Sequence, residues 1–116
     1  MRLKWILIGI LFSAAASAQM DTNPVGGTFL NDMNTSMKRM DKDMAAARMT
    51  GDIDHDFAAM MIPHHQGAID MAKAELIYGK DPVMRRLAQE ILVDQQSEID
   101  AMNLWLKKHA NSKPKR

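Results

Sequence analysis

With 15 basic and 14 acidic side chains in 116 residues, this chain carries a formal charge of +1 and no cysteine. So even a balance excludes a broad basic surface for nucleic acid. The lack of cysteine excludes both a disulfide framework and thiolate metal sites.

The first residues predict export. Arg2 and Lys4 form a basic head, Ile6 to Phe12 an apolar core too short to span a bilayer, and Ala16-Ser17-Ala18 a small-x-small cleavage pattern. Residues 1–18 read as a signal peptide and Gln19 as the first mature residue, with an uncleaved membrane anchor as the alternative. The mature chain is then one domain of 98 residues, 13 basic against 14 acidic, with eleven methionines. Without disulfides, a domain of this size draws its stability from packing, from a metal or from oligomerisation.

Residues 19–27 are polar, with Pro24 and a Gly pair, and read as a flexible lead-in. A first helix is expected from Phe29 to Met49. Its apolar face is Leu30, Met33, Met37, Met40 and Met44, spaced by three and four residues. Gly51 suits a helix C′ position and Asp52 an N-cap. A second helix follows from Asp52 to Tyr78, with Phe57, Met61, Ile62, Ala68, Ile69, Ala72 and Leu76 at helical steps. Pro63 lies inside it and is expected to kink it or split it in two. Gly79-Lys80-Asp81-Pro82 reads as a stop and a start, with Gly at C′, Asp at the N-cap and Pro at the first helical position.

The third helix is expected from Pro82 to His109, with Met84, Leu87, Ile91, Ile99, Met102, Trp105 and Leu106 along one stripe. No strand-like alternation is present. The predicted class is therefore all-α, an up-and-down bundle of three long helices, or four if Pro63 divides the second. The bundle domain spans 28–110, and residues 111–116 form a basic tail, read as a solvated terminus.

Two clusters carry candidate chemistry. On spacing alone, Met33, Met37, Met40 and Met44 read as ordinary core packing. Their number, and the scarcity of Leu and Val around them, sets metal or oxidant chemistry level with packing, because a core chosen for packing uses Leu, and one residue can serve both roles. The second cluster is Met60-Met61-Ile62-Pro63-His64-His65, with Met71 seven residues after His64. Met60 and His64 are one turn apart, as are Met61 and His65, so each pair can offer sulfur and nitrogen to one ion. Thioether and imidazole without thiolate suit a soft monovalent ion, Cu(I) or Ag(I). Cu(II) at the His pair stays open. Adjacent histidines diverge by about 100° on a helix, so one is expected inward and the other outward.

Gln95 and Glu98 fall on or beside the apolar stripe of the third helix. A buried carboxylate needs a partner, and an imidazole of the His pair is the natural one, fixing its tautomer. Asp56 is a second candidate for that supporting role. A structural hydrogen-bond network is the alternative for all three. Asp54-His55-Asp56 can bind a harder ion weakly, but helix capping explains it more simply.

Two sequence blocks now stand together. Asp54-x-Asp56-Phe57-x-x-Met60-Met61-Ile62-Pro63-His64-His65-Gln66-x-Ala68-Ile69-x-Met71-Ala72 closely resembles the signature of the domain-of-unknown-function family 305. Leu87-Ala88-x-x-Ile91 with Gln95-x-x-Glu98-Ile99-x-x-Met102-x-x-Trp105-Leu106 resembles its second block. The resemblance covers about residues 29–109. It implies a ferritin-like helical bundle in an exported bacterial protein, with copper or silver binding and tolerance in some members. Carried over, the ligand candidates are Met60, Met61, His64, His65 and Met71, with Met102 from the third helix. Some copper-associated members carry long Met- and His-rich extensions. This chain departs from them, having only its first-helix methionines.

The expected function is a periplasmic or secreted copper-binding protein that buffers, sequesters or delivers the ion. Its partners would be the metal, a copper exporter or a cuproprotein, with membrane contact only during export. The alternative is a non-metal helical module, a homo-oligomer using the methionine stripe as its contact surface. A di-iron enzyme would need Glu-x-x-His motifs, and Glu75, Glu90 and Glu98 have no His three residues on. No nucleophile–base pair or phosphate loop is present, so the expectation is a binding protein and not an enzyme.

Overall fold

The computed structural model describes residues 27–110. The expected signal peptide, the lead-in up to residue 26 and the tail 111–116 lie outside the described residues. Among the described residues there are three helices and no strand: α1 Phe29–Ala45, α2 Ile53–Tyr78 and α3 Pro82–His109. None is long and apolar enough to cross a membrane.

Each helix begins on a side-chain cap. The Thr28 hydroxyl accepts from the Asn31 amide at 3.3 Å, and Asp52 accepts from the His55 amide at 2.9 Å. Asp81 accepts from the Val83 and Met84 amides at 2.9 and 3.0 Å, with Pro82 at the first helical position. A cap of this kind is worth about 1 kcal/mol, because it satisfies amides that have no partner inside the helix.

The ends correct two expectations. α1 stops at Ala45, short of Met49. Ala46 closes the last turn onto the Lys42 carbonyl, and the Ala47 amide tightens onto Met44 O at 3.2 Å. Gly51 is therefore not the C′ residue of α1. With φ +87° it turns the loop into α2, a conformation open to glycine at little cost. Gly79 does follow α2, but in extended conformation (φ −71°, ψ 148°), so it is not a left-handed terminator. The Arg85 guanidinium holds this turn, donating to the Leu76 and Gly79 carbonyls at 2.7 and 3.0 Å.

Pro63 does not divide α2, and the fourth helix that a split would give is absent from the described residues. A proline deletes one backbone hydrogen bond and crowds the preceding turn. Here both flanks of α2 are packed, α1 on one side and α3 on the other, and α2 runs as one helix from Ile53 to Tyr78.

The helices lie as a single layer with α2 in the middle. Both neighbours run antiparallel to it: Met40 meets Gly67 while Asp32 meets Tyr78, and His65 meets Glu98 while Arg85 meets Leu76. Gly67 faces α1 and His65 faces α3. Two residues subtend about 200° on a helix, so α1 and α3 flank α2 on nearly opposite sides. They make no contact with each other. This explains why apolar residues recur around α2, as expected of a central helix.

The core is correspondingly thin. Ala58, Ile69, Ala72, Ala74, Ala88 and Ile99 are buried, and none of the large side chains described is fully enclosed. Gly67 sets the α1–α2 approach. A methyl group there would sit 2.6 Å from Met40 Sδ and 2.9 Å from its Cβ and Cγ. At the far end, the Tyr78 hydroxyl lies 2.8 Å from the Gly27 carbonyl and 2.9 Å from the Asp32 carboxylate, with the Phe29 ring edge-on at 6.2 Å.

Candidate metal-binding face

A layer has two faces, and these differ in chemistry. One carries a polar depression between α1 and α2, lined by Asp32, Thr35, Ser36, Arg39, Asp70 and Lys73. Asp70 gathers Arg39 at 3.3 Å, the Gln66 amide at 3.2 Å and Lys73 at 4.0 Å. The opposite face carries a groove of about 290 Å³ between α2 and α3, lined by Ala68, Met71, Met84, Leu87 and Ile91.

Helical geometry places most of the candidate ligands on that second face or at its seams. Met60, His64 and Met71 follow one another at four and seven residues along α2, beside Gly67 and turned toward the groove. On α1, Met33, Met37 and Met44 flank Met40, which touches Gly67. The antiparallel register set by Met40–Gly67 brings Met44 level with His64, and Met37 level with Met71. On the other flank, the register set by His65–Glu98 brings Met61 level with Met102. Met33, Met40, Met44, Met60, Met61, Met71 and Met102 are all half-buried, and Met37 is exposed.

The two histidines diverge as their adjacency requires. His64 is exposed. His65 turns into the α2–α3 seam, its side chain 15% exposed, and its Nε2 lies 2.5 Å from Glu98 Oε2. The expected imidazole–carboxylate pairing is present. The expected burial of Glu98 is not: its side chain is 57% exposed, and it reaches over the seam from the rim of α3. Gln95, one turn earlier, is half-buried on the same helix.

The pairing leaves one atom without a partner. A carboxylate only accepts, so Nε2 carries the proton in the neutral ring, and Nδ1 carries a lone pair. Among the described residues the buried Nδ1 has no hydrogen-bond partner. A buried acceptor with nothing to accept costs about 1–3 kcal/mol. An imidazole that donates one nitrogen to a carboxylate and leaves the other free is the arrangement that supports a metal-ligating histidine.

Asp56 stands elsewhere. Its carboxylate takes the Thr50 amide (2.7 Å) and hydroxyl (3.0 Å), the Gly51 amide (3.0 Å) and His55 Nδ1 (3.1 Å). Led by the Thr50 amide, these bonds hold its pKa at about 2, below the ordinary 3.8. Asp56 is thus a clamp on the α1–α2 loop and not a support for the His pair. The Asp54-His55-Asp56 triplet does not assemble a hard-ion site: among the described residues no three His, Asp or Glu side chains converge as metal ligands.

Sequence reasoning missed Arg85 and Asp70. Nothing in the pattern marks Arg85 as the residue that binds the end of α2. Asp70 had a signal, an acid on a stripe that packs against α1.

The profile of the family described as Domain of unknown function (DUF305) matches residues 8–106. This chain belongs to the DUF305 family. The match takes in both blocks, the Met60–His65 run of α2 and the Glu98–Met102 turn of α3. A stretch of 50 residues is 44% identical to "Uncharacterized protein L153" of Acanthamoeba polyphaga mimivirus, 43% of this chain and 33% of that protein. The DUF305 chain described here therefore spans about a third of that relative.

Proposed function

We propose that this DUF305 protein binds a soft monovalent ion, Cu(I) and with it Ag(I), through methionine sulfur and imidazole nitrogen. It acts as a buffer, sequestering agent or carrier outside the cytoplasm, after export directed by residues 1–18. The observation that carries the reading is Nδ1 of His65, set in place by Glu98, without a hydrogen-bond partner among the described residues and one helical turn from the level of Met61 and Met102. Met61 and Met102 are its nearest partners by register, while Met60, His64, Met71 and the α1 methionines offer further sulfur and nitrogen on the same face. Soft donors of this kind prefer Cu(I) over Mg(II) and Ca(II). The partners that would receive the ion from it are a copper exporter or a cuproprotein.

X-ray absorption on the Cu(I)-loaded protein tests this directly. Sulfur scatterers together with at least one imidazole nitrogen are expected, and the nitrogen contribution falls in His65→Ala. A first shell of oxygen alone contradicts the reading.

A further inference from the structure

One face of the layer carries large apolar side chains exposed to solvent. Leu30, Met37, Phe57, Met84 and Leu87 are each 40% exposed or more. Of the charged groups nearby, Glu98 is held by His65, and Glu75 folds back beside Gly79, where an added methyl would meet its carboxylate. The face behind is more polar, with Asp32, Arg39, Asp70 and Lys73 around the exposed Ile77.

We infer that a second copy of this chain seats on this face, and that the soft-metal site is completed between the two copies. Three observations fix the occupant. The first is area. α2 has 26 residues, about 39 Å of helix. Three helices side by side are roughly 28 Å wide. The face thus offers on the order of 1,000 Å² per copy, within the range of a stable dimer interface. The second is composition. A two-fold interface must be self-complementary, and the Met, Leu, Ala and Ile side chains of this face satisfy this, with Glu75 turned back toward Gly79 and Glu98 paired to His65. The third is the core: no large side chain described is fully enclosed in one copy. Two stacked layers supply the missing burial.

The consequence for the metal follows from the same geometry. In one copy, His64 and the methionines around it face water. In the pair they face a second set of the same donors, in a dry seam where a soft ion is held without competing water. This part rests on the proposed copper function; the dimer itself does not.

The test pairs oligomeric state with metal binding. The purified protein is expected to have twice the mass of one chain by light scattering. Leu87→Asp, at an exposed position that ligates nothing, is expected to give a folded monomer and to weaken Cu(I) binding at least about tenfold. Since the chain has no cysteine, Ala68→Cys gives a second reading without copper, as diamide should link two copies through this one thiol. A monomer at all concentrations, with no such crosslink, overturns the inference, whether the face is then covered by an unrelated protein or by another segment of the chain. A Leu87→Asp monomer that keeps full copper affinity overturns the shared site while leaving the copper function intact. A dimer that ignores Cu(I) upholds the interface and removes the copper function.

Discussion

Glu98 on the rim of α3 reaches Nε2 of His65 on α2 at 2.5 Å, and so leaves Nδ1 as the one nitrogen of that ring without a partner among the described residues. The bond orients the ring and makes it a better donor. Glu98→Gln keeps the shape but removes the charge. Cu(I) affinity is expected to fall about 10- to 100-fold, read by anaerobic competition against a chromogenic chelator, with helix content unchanged.

Gly67 lies under Met40, and Gly67→Ala tests how tightly α1 is seated. Alanine alone gains up to about 1 kcal/mol of helix propensity. Against this stand contacts of 2.6–2.9 Å with Met40, and overpacking costs about 1–3 kcal/mol. The expected net is destabilisation by about 1 kcal/mol in urea unfolding. In a Met40→Ala background the sign should reverse, because the clash is gone and the propensity remains.

Substituting Met33, Met37, Met40 and Met44 by Leu separates packing from ligation. Each swap conserves volume and is expected to cost under about 1.5 kcal/mol, with helical content unchanged by circular dichroism. The stoichiometry of bound Cu(I) should fall. Full retention would make the α1 stripe packing alone and confine the ligands to α2 and α3.

The α1–α2 loop should fail in acid. Asp56 has a folded pKa of about 2 against an ordinary 3.8, chiefly through the Thr50 amide. A depressed carboxylate contributes stability that is fully present above pH 3.8 and lost as pH falls toward 2. Asp56→Asn should be less stable than wild type at neutral pH, and the difference should shrink between pH 4 and pH 2 in thermal melts. A constant difference across that window would contradict the clamp.

Tyr78 is the one tyrosine of the chain. Burial, then its hydrogen bond to Asp32 and the charge of that carboxylate, raises its pKa above the ordinary 10.0. The stability it contributes is present below pH 10 and lost as pH rises through the folded value. Ultraviolet titration should show tyrosinate forming later in folded protein than in urea, and Asp32→Asn should bring the folded midpoint down.

Much of this was legible in the residues, for local reasons. Asp52 and Asp81 are short-range caps, Pro82 a short-range start, and the three- and four-residue steps of α2 and α3 are properties of a single helix. The divergence of His64 and His65 follows from adjacency, and the Glu98 pairing from a polar residue on an apolar stripe. What was not legible depends on distance. α1 ends at Ala45 although Ala46 and Ala47 are good helix formers, and Asp56, from the next helix, holds Thr50 and Gly51 in the loop beyond it. Pro63 stays within α2 because two other helices flank it. The open layer, in place of a closed bundle of one chain, is decided by Gly67 and His65 facing opposite ways. Periodicity reports that faces are apolar but not which of them meet.

The most direct test of the metal assignment is anaerobic Cu(I) titration, with a competing chromogenic chelator, of wild type, His65→Ala and His64→Ala. Tight stoichiometric binding is predicted for wild type, with affinity lowered at least about tenfold in His65→Ala and less in His64→Ala. Failure of the wild-type protein to compete for Cu(I), or equal affinity in all three proteins, would contradict the assignment of His65 as the anchor of a copper site.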